Sequence, residues 1–209
     1  MKALRMIRSL ALATTVTFAS SGVHAATATF NFDADTVGNA TPFADTNNGI
    51  TASFSSPADP GGFQIFPNFL TTLTGNVLVD PGPAGASNIP LNISFSQPIA
   101  SISFLFGLNG FTTDSMSFSD NAGGSQSATG TIQFGIPEGS LSFSGAAFTS
   151  VTLSSSAMDF AIDDIVVTTA TPLPTALPLF ATGIGALGLL SWRRKRKAQA
   201  GSKANNGCL

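Results

Sequence analysis

Leu91-Asn92-Ile93-Ser94-Phe95 and, a few residues on, Ala100-Ser101-Ile102-Ser103-Phe104 alternate apolar and polar side chains without a break. Successive side chains of an extended chain point to opposite faces, so strict alternation marks strands with one buried and one wetted face. Working outward, similar short runs recur at Thr27–Phe32, Ile50–Phe54, Phe63–Phe66, Asn76–Val79, Ser115–Ser119, Thr129–Phe134, Ser140–Ser144, Phe148–Ser154 and Phe160–Thr168. Turn chemistry separates them: Asp59-Pro60-Gly61-Gly62, Asp80-Pro81-Gly82-Pro83 and Asn121-Ala122-Gly123-Gly124 combine fixed-φ proline with glycine at positive φ. Nowhere between is there a helical stripe of period 3.6. The pattern predicts one all-β domain over residues 26–170, a β-sandwich of jelly-roll type. Phenylalanine would fill its inner faces, and serine and threonine would meet water.

Charge is segregated along the 209 residues. All nine Lys and Arg lie at the two ends, and all eleven Asp and Glu lie between Asp33 and Asp164. Stretch 26–170 therefore carries a formal charge of −11, with no Lys, Arg, His, Cys, Tyr or Trp. A Ser-His-Asp or Cys-His triad, a Schiff-base or P-loop lysine and a Cys/His zinc site are all impossible there. Nucleic-acid binding is excluded with them, because phosphate contacts need cations. The single cysteine, Cys208, rules out an intrachain disulfide.

The ends read as addresses. A positive segment with Lys2, Arg5 and Arg8 precedes a short apolar run from Leu10 to Ala19. Small residues follow, with Val23 and Ala25 at the −3 and −1 places, so residues 1–25 read as a signal peptide cleaved between Ala25 and Ala26. At the other end residues 177–192 carry no charge and finish on Trp192, where an interfacial aromatic belongs. Arg193, Arg194, Lys195, Arg196 and Lys197 then form a cationic block that the positive-inside rule keeps cytoplasmic, with the acidic domain outside. Residues 199–209 are expected to be a disordered tail.

Thr171-Pro172-Leu173-Pro174-Thr175, the short Gly-rich span and the Trp-Arg-Arg-Lys-Arg-Lys block together resemble the PEP-CTERM sorting tail of Gram-negative bacteria, over residues 171–198. Leu173 stands where the family has Glu, giving a Pro172-Leu173-Pro174 variant of the motif. The resemblance implies processing by an exosortase-type membrane enzyme. It also implies transient anchoring in the inner membrane and delivery to the cell surface or an exopolysaccharide or biofilm matrix.

Two residue classes remain as candidate sites. Most phenylalanines read as core, and Phe63, Phe66 and Phe69, close together in a Pro/Gly-rich segment, are the candidates for an exposed patch. Asp163 and Asp164 are adjacent in the last apolar run, so alternation sends them to opposite faces. A carboxylate leaving water there must find backbone N–H groups, hydroxyls or a metal, since the domain has no cation. Asp33-Ala34-Asp35 has the start of a calcium loop but lacks the closing Glu of an EF-hand. First and last strands are often neighbours, which would bring Asp33 or Asp35 near Asp163 or Asp164. The ending Phe160–Ile165 also resembles the closing strand of sugar-binding-like sandwich domains, in which terminal acidic residues hold a structural Ca²⁺. These four aspartates are the candidate calcium ligands. A glycosidase pair would have to use Glu138, the only Glu, placed after Pro137 in an apparent turn. Asp35-Thr36-Val37 and Asp114-Ser115-Met116 both miss the aspartic-protease motif. The expectation is a non-catalytic exported surface or matrix protein, with a lectin-like, calcium-dependent carbohydrate-binding module as the alternative.

Overall fold

The computed structural model describes residues 24–80 and 89–171. The signal segment to residue 23, the turn residues 81–88, the motif Pro172–Pro174, the span 177–192, the block 193–197 and the tail 199–209 lie outside the described residues. His24–Leu173 forms one unit by itself. Among the described residues every regular element is a strand: β1 Thr27–Phe30, β2 Phe43–Asn47, β3 Ile50–Ser55, β4 Gln64–Pro67, β5 Asn76–Val79 and β6 Leu91–Asn109. They continue with β7 Ser115–Asp120, β8 Ser125–Thr129, β9 Thr131–Gln133, β10 Ile136–Ser155 and β11 Asp159–Thr169.

All pairings are antiparallel, and hydrogen bonding links all eleven strands into one continuous sheet. The sheet folds on itself because β6 and β10 each serve two neighbourhoods. Residues 91–95 of β6 and 150–155 of β10 run with β2, β3, β7 and β8. Residues 99–109 of β6 and 136–144 of β10 run with β4, β5, β9 and β11. The switch falls where the β6–β10 register slips between Ser144 and Ser150, opposite Gln97-Pro98. Proline has no N–H to give a ladder, so it is tolerated at such a break.

The two halves close on one apolar core. Phe30, Phe54, Phe104, Phe106, Phe118, Phe148, Ile93, Ile162 and Leu153 all belong to one buried cluster. Phe30 meets Phe54 edge-on at 6.4 Å, and Phe54 lies 5.4 Å from Phe32. Each such pair adds about 0.5–1.5 kcal/mol beyond the area that it buries. A second, smaller cluster of Leu73, Val77, Val79 and Ala161 lies on the opposite side of β5 and β11. It is roofed by residues 68–75, and Leu70 lies so close to Gly107 that a Cβ there would meet its Cδ1 at 2.5 Å.

β11 carries a bulge at Asp164, whose φ is +48°. Phe160, Ile162, Ile165 and Val167 all belong to the main core, so the inward alternation skips a step between Ile162 and Ile165. The expectation that Asp163 and Asp164 face opposite sides therefore fails. The extra residue breaks the period, leaving Asp163 buried outside the main core and Asp164 half-exposed. On one edge of β11 the partner changes across this bulge from β5, at Ala161 and Ile162, to β1, at Ile165 to Thr168.

Candidate functional site

The carboxylates find backbone donors, in keeping with a domain that has no cation. Glu138 accepts from the N–H groups of Thr71, at 2.9 Å, and Thr72. Asp163 accepts from Thr74 N–H at 3.3 Å and from Asp164 N–H at 2.7 Å. Asp33 accepts from Asn76 N–H at 3.0 Å, close against Gly75, whose φ of +62° leaves no room for a side chain beside the Asp33 carboxylate. Asn68 turns the same segment by accepting from Leu70 N–H and donating to the Leu73 carbonyl. Three acidic residues from three strands or strand ends thus tie down residues 68–76. Glu138 is not in a turn but buried within β10, opposite Gly107.

These groups titrate differently. Burial pushes Asp163 up to about 7, with the neighbouring charges of Asp164 and Asp33 adding and its two hydrogen bonds opposing. Burial also raises Glu138, but the hydrogen bonds from Thr72 and Thr71 outweigh it and hold Glu138 below the ordinary value. Asp35 is raised, by burial first and then by Asp45. Of the four candidate calcium ligands, Asp163 therefore feels the charges of Asp164 and Asp33, whereas Asp35 feels that of Asp45. Among the described residues no group of three or more His, Cys, Asp or Glu side chains is gathered to hold a metal.

The tied segment shapes one wall of a groove of ≈ 280 Å³. Phe66, Phe69, Leu70, Gly107, Leu108, Ile136 and Phe160 supply apolar surface, and Asp80, Asn109 and Asp159 supply polar atoms. The register explains the gathering: Asp159 lies opposite Asn109, Ala161 opposite Val79, and Glu138 opposite Gly107. The end of β5, the start of β11, the end of β6 and the start of β10 therefore stand side by side. Asp159 Oδ2 accepts from Asn109 Nδ2 at 2.9 Å, while Oδ1 is buried without a hydrogen-bond partner. A second concavity of ≈ 370 Å³, lined by Ser101, Ser103, Ser142, Ser144 and Thr168 with Phe143 and Val166, has no carboxylate.

The exposed aromatic side chains collect at the same end. Phe66 is 44% exposed, Phe69 62%, Phe111 80% and Phe134 94%. Phe111 follows Asn109 by two residues and Phe134 precedes Ile136 by two, while Met158, also exposed, precedes Asp159. Phe63, grouped with Phe66 and Phe69 on sequence, is instead fully buried against Phe160 at 5.1 Å between ring centres. Phe134 and Gly135 form the two-residue turn between β9 and β10, both at positive φ, 48° and 91°. Such turns favour Asn, Asp or Gly, and a bulky residue there is strained. Strain that holds an aromatic ring in water points to a use for the ring. Sequence reading missed Phe111 and Phe134, although Phe134-Gly135 and Gly110-Phe111 are both ring-plus-glycine pairs in turn positions.

Fold and site together define an all-β, sandwich-like domain with an acidic groove collared by phenylalanine. No protein-family model matches the chain, and no curated protein matches it in sequence. Among solved structures it is similar to the K2 cleaved adhesin domain of Lys-gingipain, with a TM-score of 0.47, 16% identity, and coverage of 69% of this chain and 99% of that one. It is also similar to TmCBM61, solved with β-1,4-galactotriose, with a TM-score of 0.37, 12% identity, and 67% and 94% coverage. The carbohydrate-binding module CBM29-2, in a mutant form complexed with cellulohexaose, gives 0.35, 13% identity, and 72% and 99% coverage.

Proposed function

We propose that this chain is a non-catalytic exported surface or matrix protein whose jelly-roll-type sandwich binds glycan in the collared groove. The observation that carries the reading is that the exposed rings of Phe66 and Phe69 line one groove with Asp80, Asn109 and Asp159. A sugar ring offers C–H faces to aromatic surface and hydroxyls to carboxylate and amide groups, and this groove presents both. The one glutamate points away from hydrolysis: Glu138 is buried and occupied by Thr71 and Thr72, so it serves the segment that carries Phe69 rather than a scissile bond. Export through the signal peptide, with cleavage between Ala25 and Ala26, supplies the compartment. Release by an exosortase-type enzyme at Pro172-Leu173-Pro174 supplies the destination.

Glycan-array binding by the purified protein tests the groove. Phe66→Ala and Phe69→Ala should each weaken binding at least several-fold, and wild-type protein that binds no glycan would leave a purely structural matrix role. Intact mass of extracellular material tests the route. The expected mature chain begins near Ala26 and ends near Pro172–Thr175; membrane-bound protein retaining Trp192 and the basic block would make it a plain anchored protein.

A further inference from the structure

The groove extends across the strands. Gln64, Val79, Ala161, Gly107, Glu138 and Thr131 are successive ladder partners, so they form one row over β4, β5, β11, β6, β10 and β9. Five of these six neighbouring strands contribute to the groove, through Phe66, Val79, Ala161, Gly107 and Ile136. With adjacent strands about 4.8 Å apart, five of them cover roughly 19 Å, and an extended glycan advances by about one such spacing per sugar ring. Three exposed apolar side chains stand just beyond the groove. Met158 immediately precedes Asp159, Phe111 follows Asn109 by two residues, and Phe134 precedes Ile136 by two. Asp159, Asn109 and Ile136 line the groove and belong to the adjacent strands β11, β6 and β10, so the three side chains lie past the same end of three neighbours. β6 and β11 stay together past their last pair, since a Cβ at Gly110 would meet that of Ala157 at 2.8 Å. Apolar surface left in water at one end of three adjacent strands gains from being covered.

Resting on the glycan reading of the groove, we propose that it takes an interior stretch of an uncharged polysaccharide laid across the strands, with Met158, Phe111 and Phe134 as further contacts along the chain's flank. The strand count sets the length at about four or five sugar rings. A single terminal sugar would span one or two strands and leave the farther rings in water. The charge follows from composition. Residues 26–170 hold eleven carboxylates and no Lys, Arg or His, and Asp80 and Asp159 line the groove itself. A uronic, sulfated or phosphorylated chain would meet like charge there with no cation to receive it, whereas a chain bearing only hydroxyls meets no such repulsion.

The test is an array of neutral and uronic-acid oligosaccharides, graded from disaccharide to hexasaccharide, probed with the full-length protein in detergent and followed by titration calorimetry. Neutral chains should bind, with affinity climbing up to about four or five rings and then levelling. Phe111→Ala and Phe134→Ala should each weaken hexasaccharide binding about two- to tenfold and leave disaccharide binding unchanged, while Phe66→Ala should weaken both. Phe111 and Phe134 are exposed, so their removal leaves the core intact. Affinity already complete at the disaccharide would overturn the extended chain and leave glycan binding standing. So would wild-type hexasaccharide affinity in both Phe111→Ala and Phe134→Ala. Uronic-acid chains bound as tightly as neutral ones in low salt would overturn the charge selection. Absence of binding to any oligosaccharide would overturn the glycan reading itself.

Discussion

Replacing Asp163 by Asn should make the protein more stable above neutral pH and hardly change it in acid. Asp163 is wholly buried, and its ionisation lies near 7 instead of 3.8. A carboxyl raised in the folded state binds more protons folded than unfolded between those two values. Stability therefore falls as pH rises from about 4 to about 7 and levels off beyond. A shift of about three units corresponds to at most ~4 kcal/mol between the plateaus, at about 1.4 kcal/mol per unit. Asparagine imitates the protonated form, keeping an oxygen for Asp164 N–H and giving up the longer bond from Thr74, worth about 1 kcal/mol. The gain should therefore be roughly 2–3 kcal/mol near pH 8 and close to zero near pH 5. Urea unfolding of wild type and Asp163→Asn at both pH values measures this directly. Parallel curves, with the same difference at each pH, would refute the assignment of the slope to Asp163. Asp35, also raised, contributes to the same slope in both proteins. The lowered Glu138 acts only in stronger acid, where its stabilisation is lost as pH falls through its folded value.

Phe134→Asn relieves a bulky residue at φ 48° and should raise stability by about 1 kcal/mol while weakening glycan binding; a loss of both would argue that the ring is simply packed. Glu138→Ala strands the N–H groups of Thr71 and Thr72 and should cost about 1–3 kcal/mol. Faster hydrogen exchange confined to residues 68–76 would locate that effect, and exchange spread over the domain would contradict it. The calcium reading of Asp33, Asp35, Asp163 and Asp164 predicts a higher melting temperature in calcium than in magnesium at matched ionic strength. At a hundredfold excess over the dissociation constant the gain is about 2.7 kcal/mol, and equal melts refute the site.

Strand content was legible wherever one face was buried and opaque where neither was. Leu91–Phe95 and Ala100–Phe106 announced themselves by alternation, yet they are two halves of β6, because nothing local tells a bulge at Pro98 from a loop. β10 joins two predicted strands in the same way. β2 and β8 escaped because their side chains are mostly exposed and polar, so no apolar period exists to see. β2 still left a trace in Asn48-Gly49, a two-residue turn at φ 47° and 76° that demands a strand on either side. Predicted strand Thr129–Phe134 breaks at Gly130, where a Cβ would press on the Pro137–Glu138 backbone. At the site, the absence of cations left backbone N–H groups, hydroxyls or a metal as partners for a buried carboxylate, and Glu138 and Asp163 take backbone N–H groups. Which segment supplied those donors depended on residues 68–76 crossing the sheet, a long-range contact that composition does not encode. Phe66 and Phe69 were separable from core only in part, since Phe63 has the same flanking chemistry but falls inside.

β11 begins at Asp159 in the groove and ends at Thr169, where Thr169 N–H donates to the Ala26 carbonyl at 2.8 Å and Ala170 N–H to that of Pro98 at 2.9 Å. At about 3.3 Å per residue, roughly 30 Å separates the two ends. A pull on a captured ligand, resisted by whatever follows residue 170, would thus run lengthwise down one strand. The ladder bonds to β1, β5 and β6 lie across that direction, so they share the force together instead of opening one after another. Tension would meet the domain in shear, the direction in which an antiparallel sheet yields last.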